Sequence, residues 1–187
     1  MLRLIIKSVL EKQRKLSVCA TVFMQTRIAT TDDAAVIACI YNDGIADRIA
    51  TFETKLRTAD DIRAWFDGVY PIVVVEEAGQ VVAFASTSTY RPRECYDGIA
   101  EFSIYVARAA RGRGAGKLAL EKLLEVAAQV GFWKLVSRIF TENQNSLRLV
   151  RSLGFREVGI YEKHGQLDGV WRDVVIVEKL LPTNVQK

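Results

Sequence analysis

The chain is expected to fold as an α/β (α+β) domain built on a central mixed sheet with helices on both faces. Three observations predict this. A β-branched run at residues 71–76 turns through Glu77-Ala78-Gly79-Gln80 into a second strand-like run at 81–89, which reads as a hairpin. A strand pattern over 100–106 leads through Arg111-Gly112-Arg113-Gly114-Ala115-Gly116 into an amphipathic helix. Strand and helix patterns continue to alternate to the end, with no internal repeat, low-complexity stretch or linker.

Each element has a local reason. Residues 26–30 form a first strand. Thr31 or Asp32 can cap a helix that carries Ala34, Val36, Ile37, Ile40 and Tyr41 at helical spacing. Residues 48–53 connect it to a second helix. That helix opens at the capping box Thr58-x-x-Asp61 and runs through Ile62, Trp65 and Phe66. After the hairpin and the central strand comes a helix over 118–130, with Leu120, Leu123, Leu124 and Ala127 on one face. A strand over 133–140 and a helix over 143–153 follow. Asn143 suits the start of that helix and Gly154 its left-handed end. Strands over 155–162 and 170–180, joined by a loop, close the fold.

Composition narrows the function. A chain of 187 residues, half of them apolar, suits one domain with a sizeable core. The expected division is an N-terminal extension over residues 1–24, which need not be native, one domain over 25–181 and a tail over 182–187. The net charge of +4 comes from the first 23 residues, where Arg3, Lys7, Lys12, Arg14 and Lys15 face only Glu11. The remainder is neutral, which argues against a nucleic-acid partner. Met24 reads as a natural start. The segment before it is interrupted by Lys12, Arg14 and Lys15, so it makes a poor secretory signal, and no stretch is long enough to span a membrane. Cys19, Cys39 and Cys95 are odd in number, lack a Cys-x-x-Cys pair and accompany a single histidine. That pattern argues against a disulfide framework or a zinc site, and fits a cytoplasmic protein with no metal.

The glycine-rich turn carries the first chemistry. Glycines let backbone approach an anion, and the free N–H groups and dipole of the following helix face it. Arg113 and Lys117 can add charge. The spacing matches neither G-x-x-x-x-G-K-[ST] nor G-x-G-x-x-G. Read as Arg-x-x-Gly-x-Gly on Arg111, Gly114 and Gly116, it resembles the pyrophosphate loop of the GNAT N-acetyltransferases. Residues 143–155, an Asn-opened helix ending in Leu153-Gly154-Phe155, resemble that family's second signature. The resemblance implies the GNAT acyltransferase fold over about residues 25–181 and an N-acetyltransferase using acetyl-CoA. Its cofactor contacts would be Ile104, Tyr105 and Val106, the loop residues Arg111, Gly112, Arg113, Gly114, Ala115, Gly116 and Lys117, and then Asn143 and Ser152. Many family members carry a tyrosine acid where this chain has Val150.

Acetyl transfer to an amine needs a proton acceptor and a donor for the tetrahedral oxyanion. Glu101 opens the central strand and is the candidate base. Residues 90–101, together with Lys163-His164-Gly165 and Trp171-Arg172-Asp173, resemble the phosphinothricin acetyltransferases, and the whole chain is most similar to the arsinothricin-resistance branch. That likeness implies Glu101 as base, His164 in an assisting role, and Phe52, Arg91, Arg93 and Tyr96 around a small glutamate-like acceptor such as phosphinothricin, arsinothricin or methionine sulfoximine. It also implies a homodimer. Without the motif, Arg91 and Arg93 can also be read as a solvated hairpin end and Glu101 as an exposed strand charge, as the lesser alternatives. Another small amine, a protein N-terminus, or a non-catalytic CoA sensor are the alternative readings.

Overall fold

The structure is a computed structural model that describes residues 23–185. The expected extension over residues 1–24 therefore lies outside the described residues, save for its last two. A seven-stranded sheet organises the rest. The strands are β1 (Gln25–Ile28), β2 (Ile72–Glu77), β3 (Gln80–Thr89), β4 (Ile99–Val106), β5 (Lys134–Phe140), β6 (Arg156–Leu167) and β7 (Val170–Leu180). Their spatial order is β1-β2-β3-β4-β5-β7-β6. Every neighbouring pair is antiparallel except β4 and β5. The mixed sheet is therefore as expected.

Alternation along the strands divides the core in two. Val73, Val75, Ala83, Ala85, Ala100 and Phe102 face one layer, and Ile72, Val74, Phe84 and Tyr105 face the other. That alternation is the period of two of a pleated strand buried on both faces. The first layer is covered by α3 (Ala115–Gln129) and α4 (Gln144–Ser152), through Leu120, Leu123, Leu147 and Val150. The second is covered by α1 (Ala34–Asp47) and α2 (Ala59–Arg63), through Ile37, Ile40, Tyr41 and Ile62.

Several expected boundaries move. The residue before the first helix is Asp33 rather than Thr31 or Asp32, and Thr30 instead opens the short turn that leads into it. The Thr30 N–H donates to Asp33 Oδ2 at 2.8 Å, and a 3-10 turn over Thr31–Asp33 precedes α1. The Thr58/Asp61 capping box forms as expected, but α2 stops at Arg63. The third helix begins three residues early, directly after Gly114, so Ala115, Gly116 and Lys117 are its first turn. The largest correction is at the end of the chain. No loop separates the last two strands: β6 runs on to Leu167, and a two-residue turn at Asp168 (φ 50°) and Gly169 (φ 78°) returns it into β7. Two positive φ values suit the twist of a tight hairpin, and Asp-Gly supplies them. His164 thus sits in a strand, next to an irregularity in register between Tyr161 and Gly165.

Arg27 ties the first strand to the first helix. Its Nη1 lies 2.7 Å from Asp33 Oδ2 and its Nη2 2.7 Å from Glu76 Oε1. The Arg27 hydrogen bond holds the Asp33 carboxyl below its ordinary value of 3.8, against the opposing effect of burial. A depressed folded-state value means the pair stabilises the fold above the ordinary aspartate range and loses that contribution as pH falls through the folded value. Asp33→Asn is expected to cost about 1–2 kcal/mol at neutral pH and to flatten the acid limb of stability against pH; urea unfolding from pH 7 to 3 measures both.

Candidate active site

The site begins where β4 and β5 stop pairing. They pair only at Ile99, Ala100 and Glu101 with Lys134, Leu135 and Val136, and Glu101 is the last paired residue. Beyond it the two parallel strands diverge, and the β4 backbone on that side has no strand partner. The wedge opens toward the carboxyl ends of the strands, where open α/β sheets place ligands. One cleft in it is lined by Phe102, Ile104, Ile139, Asn143, Ser146 and Val150. An adjoining cavity on the α1 side is lined by Tyr41, Phe52, Glu53, Glu101, Arg138 and Phe140. Ala50, Ser103, Tyr105 and Ser137 line both, so the two spaces are continuous.

The glycine-rich turn stands at the mouth of the wedge. Gly112 (φ 73°) and Gly114 (φ 92°) adopt the left-handed conformation that glycine takes without strain. No backbone N–H from Gly112 to Gly116 has a partner among the described residues. A Cβ added to Gly116 would lie 3.3 Å from Val106 and 3.4 Å from Leu149, so the helix start is pressed against β4 and α4. Five free donors beside a helix N-terminus fit a pyrophosphate. The two arginines of the loop are otherwise engaged. Arg111 Nε donates to the Val106 carbonyl at 3.1 Å and its Nη1 lies 2.7 Å from Asp47. Arg113 pairs with Glu77 on the hairpin, so it lends the turn its backbone rather than the free charge expected of it. Lys117, 3.8 Å from Glu121, is the loosely held cation.

On the α4 side, Asn143 Oδ1 accepts from the Ser146 N–H at 3.1 Å, as an N-cap. Its Nδ2 donates to the Ile49 carbonyl at 3.1 Å, which fastens the 48–53 segment to α4. Ser152 is exposed at the far end of the helix, with its hydroxyl donating to the Leu149 carbonyl. Val150 is buried where it lines the cleft. Ile104 and Val106 face the α3 layer, whereas the Tyr105 ring packs the opposite way, against Tyr41 at 4.7 Å and Phe84 at 5.4 Å. Burial raises the Tyr41 and Tyr105 phenols above the usual tyrosine range, so both remain O–H donors at neutral pH.

Glu101 sits at the apex of the wedge, and Arg138 clasps it. Arg138 Nε donates to Oε1 at 2.8 Å, and Nη2 reaches Oε1 at 2.5 Å and Oε2 at 2.6 Å. Phe52 forms a wall, edge-on to Phe140 at 4.7 Å and against Gly165, where an added Cβ would come within 2.9 Å of its ring. His164 is exposed on β6, 6.2 Å from Phe52 and 5.3 Å from Tyr161 between ring centroids, and lines neither space. Arg91, Arg93 and Tyr96 lie on the loop between β3 and β4 and also line neither. Thr89 pairs with Ala100, which puts that loop at the Glu101 end of the wedge. Arg91 stacks over the Tyr90 ring at 5.3 Å. Sequence reasoning thus gathered Glu101, Phe52 and the glycine turn, and missed Arg138 and Tyr41. Tyr41 reads in the sequence only as one of the helically spaced residues of the first helix, and it is also part of the core.

Asn143→Ala removes both the cap and the tie to Ile49. It is expected to lower stability by about 1 kcal/mol and to speed amide exchange selectively at residues 49–53, which hydrogen-exchange mass spectrometry would detect.

With this geometry in hand, the comparisons with known proteins agree. Residues 39–155 match the family described as acetyltransferase (GNAT). The chain is 36% identical over 158 residues to an L-methionine sulfoximine/L-methionine sulfone acetyltransferase of Pseudomonas paraeruginosa, covering 81% of this chain and 91% of that one. It is 30% identical over 168 residues to a phosphinothricin N-acetyltransferase of Streptomyces coelicolor, covering 86% and 98%. Its fold matches a GNAT superfamily phosphinothricin acetyltransferase from Sinorhizobium meliloti, solved with acetyl-CoA, at a TM-score of 0.81 and 29% identity, covering 88% and 91%.

Proposed function

The chain belongs to the acetyltransferase (GNAT) family, and we propose that it moves the acetyl group of acetyl-CoA onto the α-amine of a small, anionic, glutamate-like amino acid. The observation that carries this reading is the position of Glu101. A carboxylate at the apex of the wedge faces a cavity continuous with the cleft that leads from the glycine turn. The relatives named for phosphinothricin and methionine sulfoximine support the acceptor class. Arsinothricin, with a head group of like shape and charge, belongs to the same class.

In this reading the pyrophosphate rests on the N–H groups of residues 112–116 with Lys117 beside it. The pantetheine arm runs along Ile104 and Val106, past Asn143, with Ser152 and Arg111 at its outer end. The thioester then lies near Glu101. An acceptor ammonium gives its proton to Glu101, directly or through water, and the freed amine attacks the thioester carbon. The C–N bond forms, the adduct nitrogen sheds its second proton, the C–S bond breaks, and the thiolate takes up a proton in its place. Unpaired β4 N–H groups along the wedge suit the developing oxyanion. With Val150 at its position in α4, that helix offers no phenol to the sulfur, and water or a serine hydroxyl of the cleft supplies the proton. Arg91, Arg93 and Tyr96 hold the anionic head group at the rim, and His164 orients the acceptor from β6. No metal is needed for any of these steps. Glu101→Gln is expected to lower kcat/KM for phosphinothricin by roughly 10²–10⁴-fold while leaving acetyl-CoA affinity unchanged, measured by thiol release and calorimetry. Full activity in the variant removes Glu101 from the role.

The assembly we propose is a cytoplasmic homodimer. Strand β6 is a sheet edge, exposed from Arg156 to His164 and carrying Val158, Ile160 and Tyr161, with Trp171 exposed on the neighbouring strand. An apolar edge of this length invites pairing with a second copy. Light scattering should give about twice the 21.0 kDa chain mass; a monomer at working concentration contradicts it.

A further inference from the structure

Arg138 is the one cationic side chain among the residues that line the cavity, and the reaction above does not use it. It lies on β5, outside every motif that identifies the family resemblance, yet it makes the closest ion pair in the acceptor space. Its role follows from how its donors are divided. A guanidinium carries five N–H groups in a planar fork. Glu101 takes Nε and Nη2. Nη1 has no partner among the described residues, and the side chain is half exposed, at 47%, while lining the cavity. A cation this close to the base repels an incoming ammonium unless a second anion comes with it. The acceptor carries such an anion, because the carboxylate of an α-amino acid hangs on the same carbon as the reacting amine. A distal head group, several bonds further on, cannot occupy that place while the amine is near Glu101.

We propose that Arg138 binds the α-carboxylate of the acceptor through the edge of its guanidinium that Glu101 leaves free, and so makes the enzyme selective for α-amino acids over simple amines. This rests on the acceptor class proposed above and deepens it. Arg138 becomes a bridge: one edge holds the base, the other the acceptor, and the amine is set beside Glu101 by its own carboxylate. The other cavity carboxylate, Glu53, is paired with Arg57 at 2.7 Å, and Arg57 does not line the cavity, which leaves Arg138 as the cation available there.

The test compares methionine sulfoximine with its α-carboxamide, which keeps the amine and the head group and removes the α-charge. Initial rates of thiol release are measured for wild type, Arg138→Gln and Arg138→Lys, each checked for folding by its melting curve and for acetyl-CoA binding by calorimetry. Wild type is expected to prefer the acid strongly. Arg138→Gln is expected to lose roughly a hundredfold in kcat/KM on the acid, mostly in KM, and far less on the carboxamide, so the preference collapses. Arg138→Lys, a point charge without the fork, should keep part of the preference. Equal losses on both substrates overturn the inference, because Arg138 then acts only through Glu101. An unchanged preference overturns it as well. If methionine sulfoximine is not turned over by wild type, the acid and carboxamide pair is built on phosphinothricin or arsinothricin instead; absence of wild-type turnover with all three acids defeats the acceptor reading itself and this inference with it, an outcome distinct from both.

Discussion

Three residue pairs hold β4 to β5, and the rest of the site depends on their being only three. Had the parallel ladder continued past Glu101, the β4 backbone would be satisfied by β5 and no wedge would exist. Because it stops there, backbone donors and acceptors are left for a ligand, and the residue at the last pair stands at the apex of the opening. The divergence is held open from both ends. Near the apex, the Trp133 N–H donates to the Gly98 carbonyl at 2.8 Å, and any Cβ on Gly98 would collide with the Trp133 ring at 1.8 Å, so the paired end is locked. At the other end, β5 is drawn away by full-length antiparallel pairing with β7, from Lys134 to Phe140.

Charge pairing then knits the loops around the wedge to the scaffold. Asp47 at the end of α1 accepts a hydrogen bond from Arg108 and forms an ion pair with Arg111, each at 2.7 Å, and the two arginines depress its carboxyl below the ordinary range. Arg113 binds Glu77 on the opposite side of the glycine turn. These are partly exposed pairs, each of modest worth on its own. Their use is geometric: they fix the turn from two sides so that its N–H groups stay directed outward. The result is a preorganised anion site whose donors come from backbone rather than from flexible side chains.

The features legible in the sequence were those whose physics is local. The glycine-rich turn before the third helix, the Thr58 box, the Asn143 cap and the Ala78-Gly79 turn each follow from residues within a few positions of one another. The β6–β7 turn was equally local, since Asp168-Gly169 is a strong hairpin signal, but the polar stretch before it read as loop and concealed the signal. Arg138 was not legible. It contacts Glu101 across 37 positions, and on β5 it reads as one more solvent-facing strand charge until the splay sets it beside the base. The arginines on the loop between β3 and β4 were visible as charge, yet nothing in the pattern says that they stand at the rim while the cavity holds a different arginine.

The central claim is that the cavity beside Glu101 receives an anionic α-amino acid. The most direct measurement is thiol release from acetyl-CoA with a panel of phosphinothricin, arsinothricin, methionine sulfoximine, spermidine and a short peptide. The account predicts efficient turnover with at least one of the three anionic amino acids and little with spermidine or the peptide. Turnover confined to the polyamine or the peptide would contradict it, and tight CoA binding with no turnover on any of the five would favour a sensor in place of the amino-acid acetyltransferase proposed.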